Sequence, residues 1–113
     1  MSQLISRTSV KMLLGTSVSD PFIIDGKPPN VLEMPTAWTA ADLTFAGTGD
    51  GGNYLFIYKE TGILLSIPTT ICHRIVLPTK YLSDHLAIMI CSGPPTAPVL
   101  QADDRLFYLE VWE

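Results

Sequence analysis

Short apolar runs, each stopped within a few positions by glycine or proline, recur along the whole chain. Between Asp42 and Gly47, Leu43 and Phe45 face one way while Asp42 and Thr44 face the other. This is the two-residue period of a half-buried strand. The glycine-rich stretch that follows contains Asp50-Gly51, a strong hairpin signal because both residues tolerate positive φ. Tyr54 to Tyr58 is the returning strand.

The same reading places strands at Val10–Leu14, Pro21–Ile24, Val31–Met34, Ile63–Ile67, His73–Leu77, Leu86–Cys91 and Leu106–Trp112. Turns fall at Asp25-Gly26-Lys27-Pro28-Pro29 and at Thr61-Gly62. Pro78 to Asp84 reads as a short helical turn or a wide loop. Ser92 to Pro98 is a loop through which no central strand can run. Pro35 to Leu43 has enough alanine for a single helical turn. Eight or nine short strands at this spacing predict an all-β chain. Such spacing marks a sandwich or a barrel, and the period-two patterning favours a two-sheet antiparallel β-sandwich. We read residues 1–113 as one domain, with 1–9 as an extended N-terminal arm.

Composition narrows the function. Apolar residues make up 47% of the 113 positions and charged residues 16%, which points away from a disordered chain. The net charge is −4, and the seven Lys and Arg residues are scattered. No basic footprint for nucleic acid is visible. No apolar run approaches the roughly 20 residues of a membrane span. The N-terminal 15 residues lack the apolar centre of a signal peptide. Two cysteines are no disulfide framework, so synthesis in a reducing cytoplasm is expected.

Candidate chemistry is sparse. His73, His85 and Asp84 could approach a metal such as zinc, but no short-spaced ligand set exists. Cys72 precedes His73, yet adjacent strand residues point to opposite faces, a poor arrangement for activating a thiolate. Cys72 and Cys91 read as buried small hydrophobes. Asp50 to Asn53 lacks the spaced ligands of a calcium loop. Asp103 and Asp104, beside Arg105, read as a solvated turn. The sequence therefore predicts no catalytic residue, cofactor or metal. The aromatic residues Trp38, Tyr54, Tyr58, Tyr81, Tyr108 and Trp112 suit a sugar-stacking platform, a protein interface or the core. Leu106, Tyr108 and Trp112 share the outward side of the last strand with Glu110, a side more apolar than exposure requires.

The segment Pro35-Thr36-Ala37-Trp38-Thr39-Ala40-Ala41-Asp42-Leu43-Thr44-Phe45 fits the pattern P-x-x-W-T-x-A-x-L-T-F. It runs on to Asp50-Gly51-Gly52 and is followed by Ile67-Pro68, Val76-Leu77-Pro78 and Tyr81. Ile90-Cys91-Ser92-Gly93, Ala97-Pro98-Val99 and Gln101-Ala102-Asp103-Asp104-Arg105 complete it. This series resembles a family of small virion structural proteins of tailed phages and prophages, over most of Met34 to the C-terminus. Two departures are Tyr81-Leu82-Ser83, where relatives carry F-A-G, and Cys91, where a basic residue commonly precedes Ser-Gly. The resemblance implies a non-enzymatic virion component made in the host cytoplasm, with a jelly-roll-like form of the sandwich. Two roles follow: a capsid decoration protein bridging major capsid subunits, or a tail or baseplate accessory protein that binds carbohydrate. The implied partners are the major capsid protein, other virion proteins or further copies of the chain. Leu106, Tyr108, Trp112, Trp38, Tyr54 and Tyr58 are the candidate interface residues, with neither nucleic acid nor membrane as partner.

Overall fold

The computed structural model describes residues 2–24, 26–69 and 73–113. It contains β1 (Leu4–Met12), β2 (Phe22–Ile23), β3 (Val31–Glu33), β4 (Leu43–Thr48) and β5 (Leu55–Phe56). After these come β6 (Ser66–Ile67), β7 (Arg74–Val76), α1 (Thr79–Leu82), β8 (Ala87–Ser92) and β9 (Arg105–Trp112). The chain is nearly all β, in two antiparallel sheets. One has the order β1-β9-β3-β7. The other has the order β2-β8-β4-β5, with β6 also paired to β4.

The pairing is nested. The first strand pairs with the last, β2 with β8, β3 with β7, and β4 with β5 and β6. This wrapped double ribbon is the jelly-roll arrangement. Between the sheets lie Met12, Leu32, Leu43, Phe45, Ile88, Ile90, Phe107 and Leu109, all buried. The alternation in β9 holds: Phe107, Leu109 and Val111 are buried on the inner side. Leu43 and Phe45 point inward as the period requires. Thr44, on the reverse side of β4, is buried as well, because its hydroxyl donates to the Gly93 carbonyl at 2.7 Å and the 93–99 loop lies over it.

Two sequence expectations change. From Leu4 onward, the segment expected as an arm is an edge strand paired with β9, with one register shift between Leu4 and Ser6. Gln3 and Glu113 exchange backbone hydrogen bonds at its end, at 2.7 and 2.9 Å. Only Val10 and Met12 of β1 are buried, so a strand paired on one side leaves little apolar signal. The helical turn expected in Pro35–Leu43 is absent. Thr36 and Ala37 form a bend, and Thr39 is held in a non-helical position by a side chain from another loop. The short helix forms instead at α1, the alternative read for Pro78–Asp84.

The Asp50-Gly51 turn joins β4 to β5 as expected. The Asp50 carboxylate accepts from the backbone N–H groups of Gly52 and Asn53, both at 2.9 Å. These donors hold it well below the ordinary carboxylate range. Its role is turn closure.

Candidate functional site: two polar clusters and an apolar corner

The outer face of the β1-β9-β3-β7 sheet differs from the apolar surface expected. Antiparallel register sets Arg7 opposite Glu110 and Arg74 opposite Glu33. Glu110, only 2% exposed, accepts from both guanidiniums. Glu33 also accepts from Arg7 and Arg74, each at 3.1 Å. The Trp112 indole N–H donates to Glu110 at 2.8 Å, and the Arg7 guanidinium lies 4.0 Å above the Tyr108 ring. Hydrogen bonding from Arg74, against the opposing effect of burial and with help from Trp112 and Arg7, brings the Glu110 carboxyl down to about 2. Tyr108 and Trp112 are thus half-buried walls of an ion-pair network, while Leu106 stays exposed beside it. The sequence of β9 alone does not show this network, because both arginines and Glu33 come from other strands.

A second polar cluster is neutral at its centre. The Gln101 side chain is buried between loops. Its Oε1 accepts from the Thr39 N–H at 2.9 Å and from Arg105 Nε at 3.0 Å. Its Nε2 donates to the Thr39 carbonyl at 3.1 Å and to the Ser92 hydroxyl at 2.8 Å. Pairing both backbone groups of Thr39, the amide imitates one rung of a sheet. Arg105 also donates to the Thr39 hydroxyl at 3.2 Å. Beside this cluster Trp38 packs edge-on against Phe107, with centroids 5.5 Å apart, and donates its indole N–H to Ala41. The Trp38-Thr39 and Gln101…Arg105 motifs are therefore a structural clamp.

That arrangement leaves Trp38 half-buried, with its edge toward the core. Tyr54 is half-buried before β5, and Tyr58 is exposed at a bridge to Leu64. Among the described residues, Trp38–Phe107 is the one pair of rings in contact. His85 packs over Gly47, where an added Cβ would lie 2.3 Å from the imidazole Nδ1; its Nε2 lies 3.1 Å from the Tyr81 carbonyl oxygen. No group of three His, Cys, Asp or Glu residues that could hold a metal occurs among the described residues. Burial raises the Cys91 thiol to about 11, which keeps it protonated. The expectation for Cys72 lies outside the described residues. Asp103 accepts from the neighbouring Asp104 N–H, and Asp104 accepts from the Leu14 N–H of another loop, both at 2.8 Å.

Two concavities accompany these clusters. A groove of about 900 Å³ lies between β1 and the 20–27 segment, with Val10, Phe22 and Val111 among its walls. A smaller hollow of about 390 Å³ lies beside Pro35, Leu106 and Tyr108, with Asp103 and Asp104 at its border. No helix among the described residues is long and apolar enough to cross a membrane.

No protein-family model matches the chain, and no curated protein matches it in sequence. Among solved structures it is similar to the SPBc2 prophage-derived protein YomS. The TM-score is 0.56 at 12% identity, over all of this chain and 96% of that one. At that identity the likeness is one of fold.

Proposed function

We propose that the chain is a non-enzymatic structural component of a tailed-phage or prophage particle. Its proposed role is that of a capsid decoration protein bridging major capsid subunits. The observation that carries this reading is the end-to-end fold likeness to a prophage-derived protein. The motif series from Pro35 to Arg105 adds to it through resemblance to virion proteins. The chemistry agrees: the polar clusters are internally paired, and the motif residues close loops. A decoration protein needs a stiff body and many weak contacts repeated over a lattice, where multivalency makes them collectively strong.

Quantitative mass spectrometry of purified particles tests the reading. A fixed ratio to the major capsid protein, at lattice stoichiometry, is expected. A ratio of a few copies per particle would move the protein to the tail or baseplate. Absence from washed particles would overturn a virion role.

A further inference from the structure

Three exposed leucines meet at one corner of the sandwich. Leu13 and Leu14 lie in the turn after β1, and Leu100 enters the loop before β9; they are 50%, 61% and 59% exposed. The corner is held by backbone bonds. Gly15 N–H donates to the Gln101 carbonyl and Gln101 N–H to the Thr16 carbonyl, both at 2.9 Å. The Asp104 carboxylate caps Leu14 N–H, and the buried Gln101 amide anchors the loop from beneath. Large aliphatic side chains on a turn braced this way lose little freedom on docking, which favours binding.

The surroundings select the partner. Asp103 and Asp104 rim the corner, while the Arg105 guanidinium turns inward to Gln101 and Thr39. Asp103 and Asp104 also line the hollow beside Pro35, Leu106 and Tyr108, as do Glu33, which is paired to Arg7 and Arg74, and Arg105. That hollow suits the aliphatic stem of a lysine or arginine, with its charged head at the carboxylates. A second copy meeting the corner face to face would bring like charges together. An anionic bilayer would repel the same carboxylates.

We infer that the Leu13-Leu14-Leu100 corner is the docking surface for a protein bearing an apolar depression flanked by a basic side chain. On the functional reading above, on which this inference rests, that protein is a subunit of the particle.

Particles assembled with variant chains provide the test. Leu14→Ser combined with Leu100→Ser should lower occupancy at least tenfold, and Asp103→Lys several-fold. Leu55→Ser and Val76→Ser alter side chains that are 74% and 83% exposed elsewhere on the surface, and should leave occupancy unchanged. Melting curves of the purified variants check that each folds. Corner variants retained at wild-type occupancy would overturn the inference while leaving the virion role standing. So would an equal loss in the Leu55 and Val76 variants. Wild-type chain missing from the particle would overturn both. Leucine-dependent dimerisation in sedimentation, or leucine-dependent binding to phosphatidylglycerol vesicles, would also contradict the assignment.

Discussion

The Gln101 clamp and the Glu110 network are both buried polar centres that tie distant segments together, yet they work on different terms. Gln101 lies between loops, is neutral, and has both ends of its amide bonded. Its bonds are therefore insensitive to mild acid. Glu110 is charged and sits on a sheet face, reached by arginines that remain part-exposed. Its contribution depends on ionisation, and salt acts on its solvent-facing partners. Closing loops over a core calls for bonds that hold under all conditions. A sheet face tolerates a conditional one, because the ladder beneath already fixes the strands.

Substitutions that separate the two centres should fall in a definite order. Gln101→Ala should have the largest effect, because it strands the Thr39 backbone groups, Ser92 and Arg105 together. About 3 kcal/mol is expected from unpaired buried groups, or about 10–20 °C in Tm for a domain of this size. The loss should be the same at pH 7 and pH 4, and thermal unfolding at both values checks it.

Gly93→Ala should come next. Gly93 has φ +82°, and an added Cβ would lie 2.8 Å from the Ala97 carbonyl oxygen. Strain of about 1–3 kcal/mol is expected in a loop that covers Thr44. Denaturant titration should show a lower midpoint with an unchanged slope.

Glu110→Gln should cost about 1–2 kcal/mol at neutral pH, since hydrogen bonds to charged groups become neutral ones and solvent screening of the part-exposed arginines reduces what the full shift would give. Its signature is the pH dependence. The folded carboxyl titrates near 2, below its ordinary value of 4.5. Protons therefore favour the unfolded chain, and the stabilisation is complete above about 4.5 and lost as pH falls through 2. The difference between wild type and variant should shrink over that window. A difference constant from pH 7 to pH 2 would contradict the assignment.

The smallest effect belongs to Arg7→Lys. It keeps the charge but gives up the planar stack over Tyr108 and the forked bonds to two carboxylates. A small drop in Tm is expected, reduced further in high salt.

Much of the fold was legible in the chain because the core strands carry their own signal. Leu43 and Phe45, Ile88 and Ile90, and Phe107, Leu109 and Val111 alternate, and glycine or proline ends the runs. The sandwich class followed from strand number and spacing, and its jelly-roll form from the resemblance to virion proteins. Residues 4–9 were not legible, because an edge strand with two buried side chains is held by backbone bonds that any sequence can make. The candidate site was legible only in part. Trp38, Thr39, Gln101 and Arg105 stood out as motif residues, but that the amide of Gln101 grips Thr39 depends on contacts 62 positions apart. The Arg7–Glu110 pair spans 103 positions, so no local pattern reports it. Leu13, Leu14 and Leu100 converge only because two loops exchange backbone bonds.

Cryo-electron microscopy of the intact particle, with this jelly roll fitted into the map, is the decisive measurement. Density for the chain is expected at junctions between major capsid subunits, with the Leu13-Leu14-Leu100 corner turned into the lattice and a basic side chain near Asp103. Density at a junction with that corner facing solvent would contradict the docking assignment, and a particle lacking the chain would contradict the structural role itself.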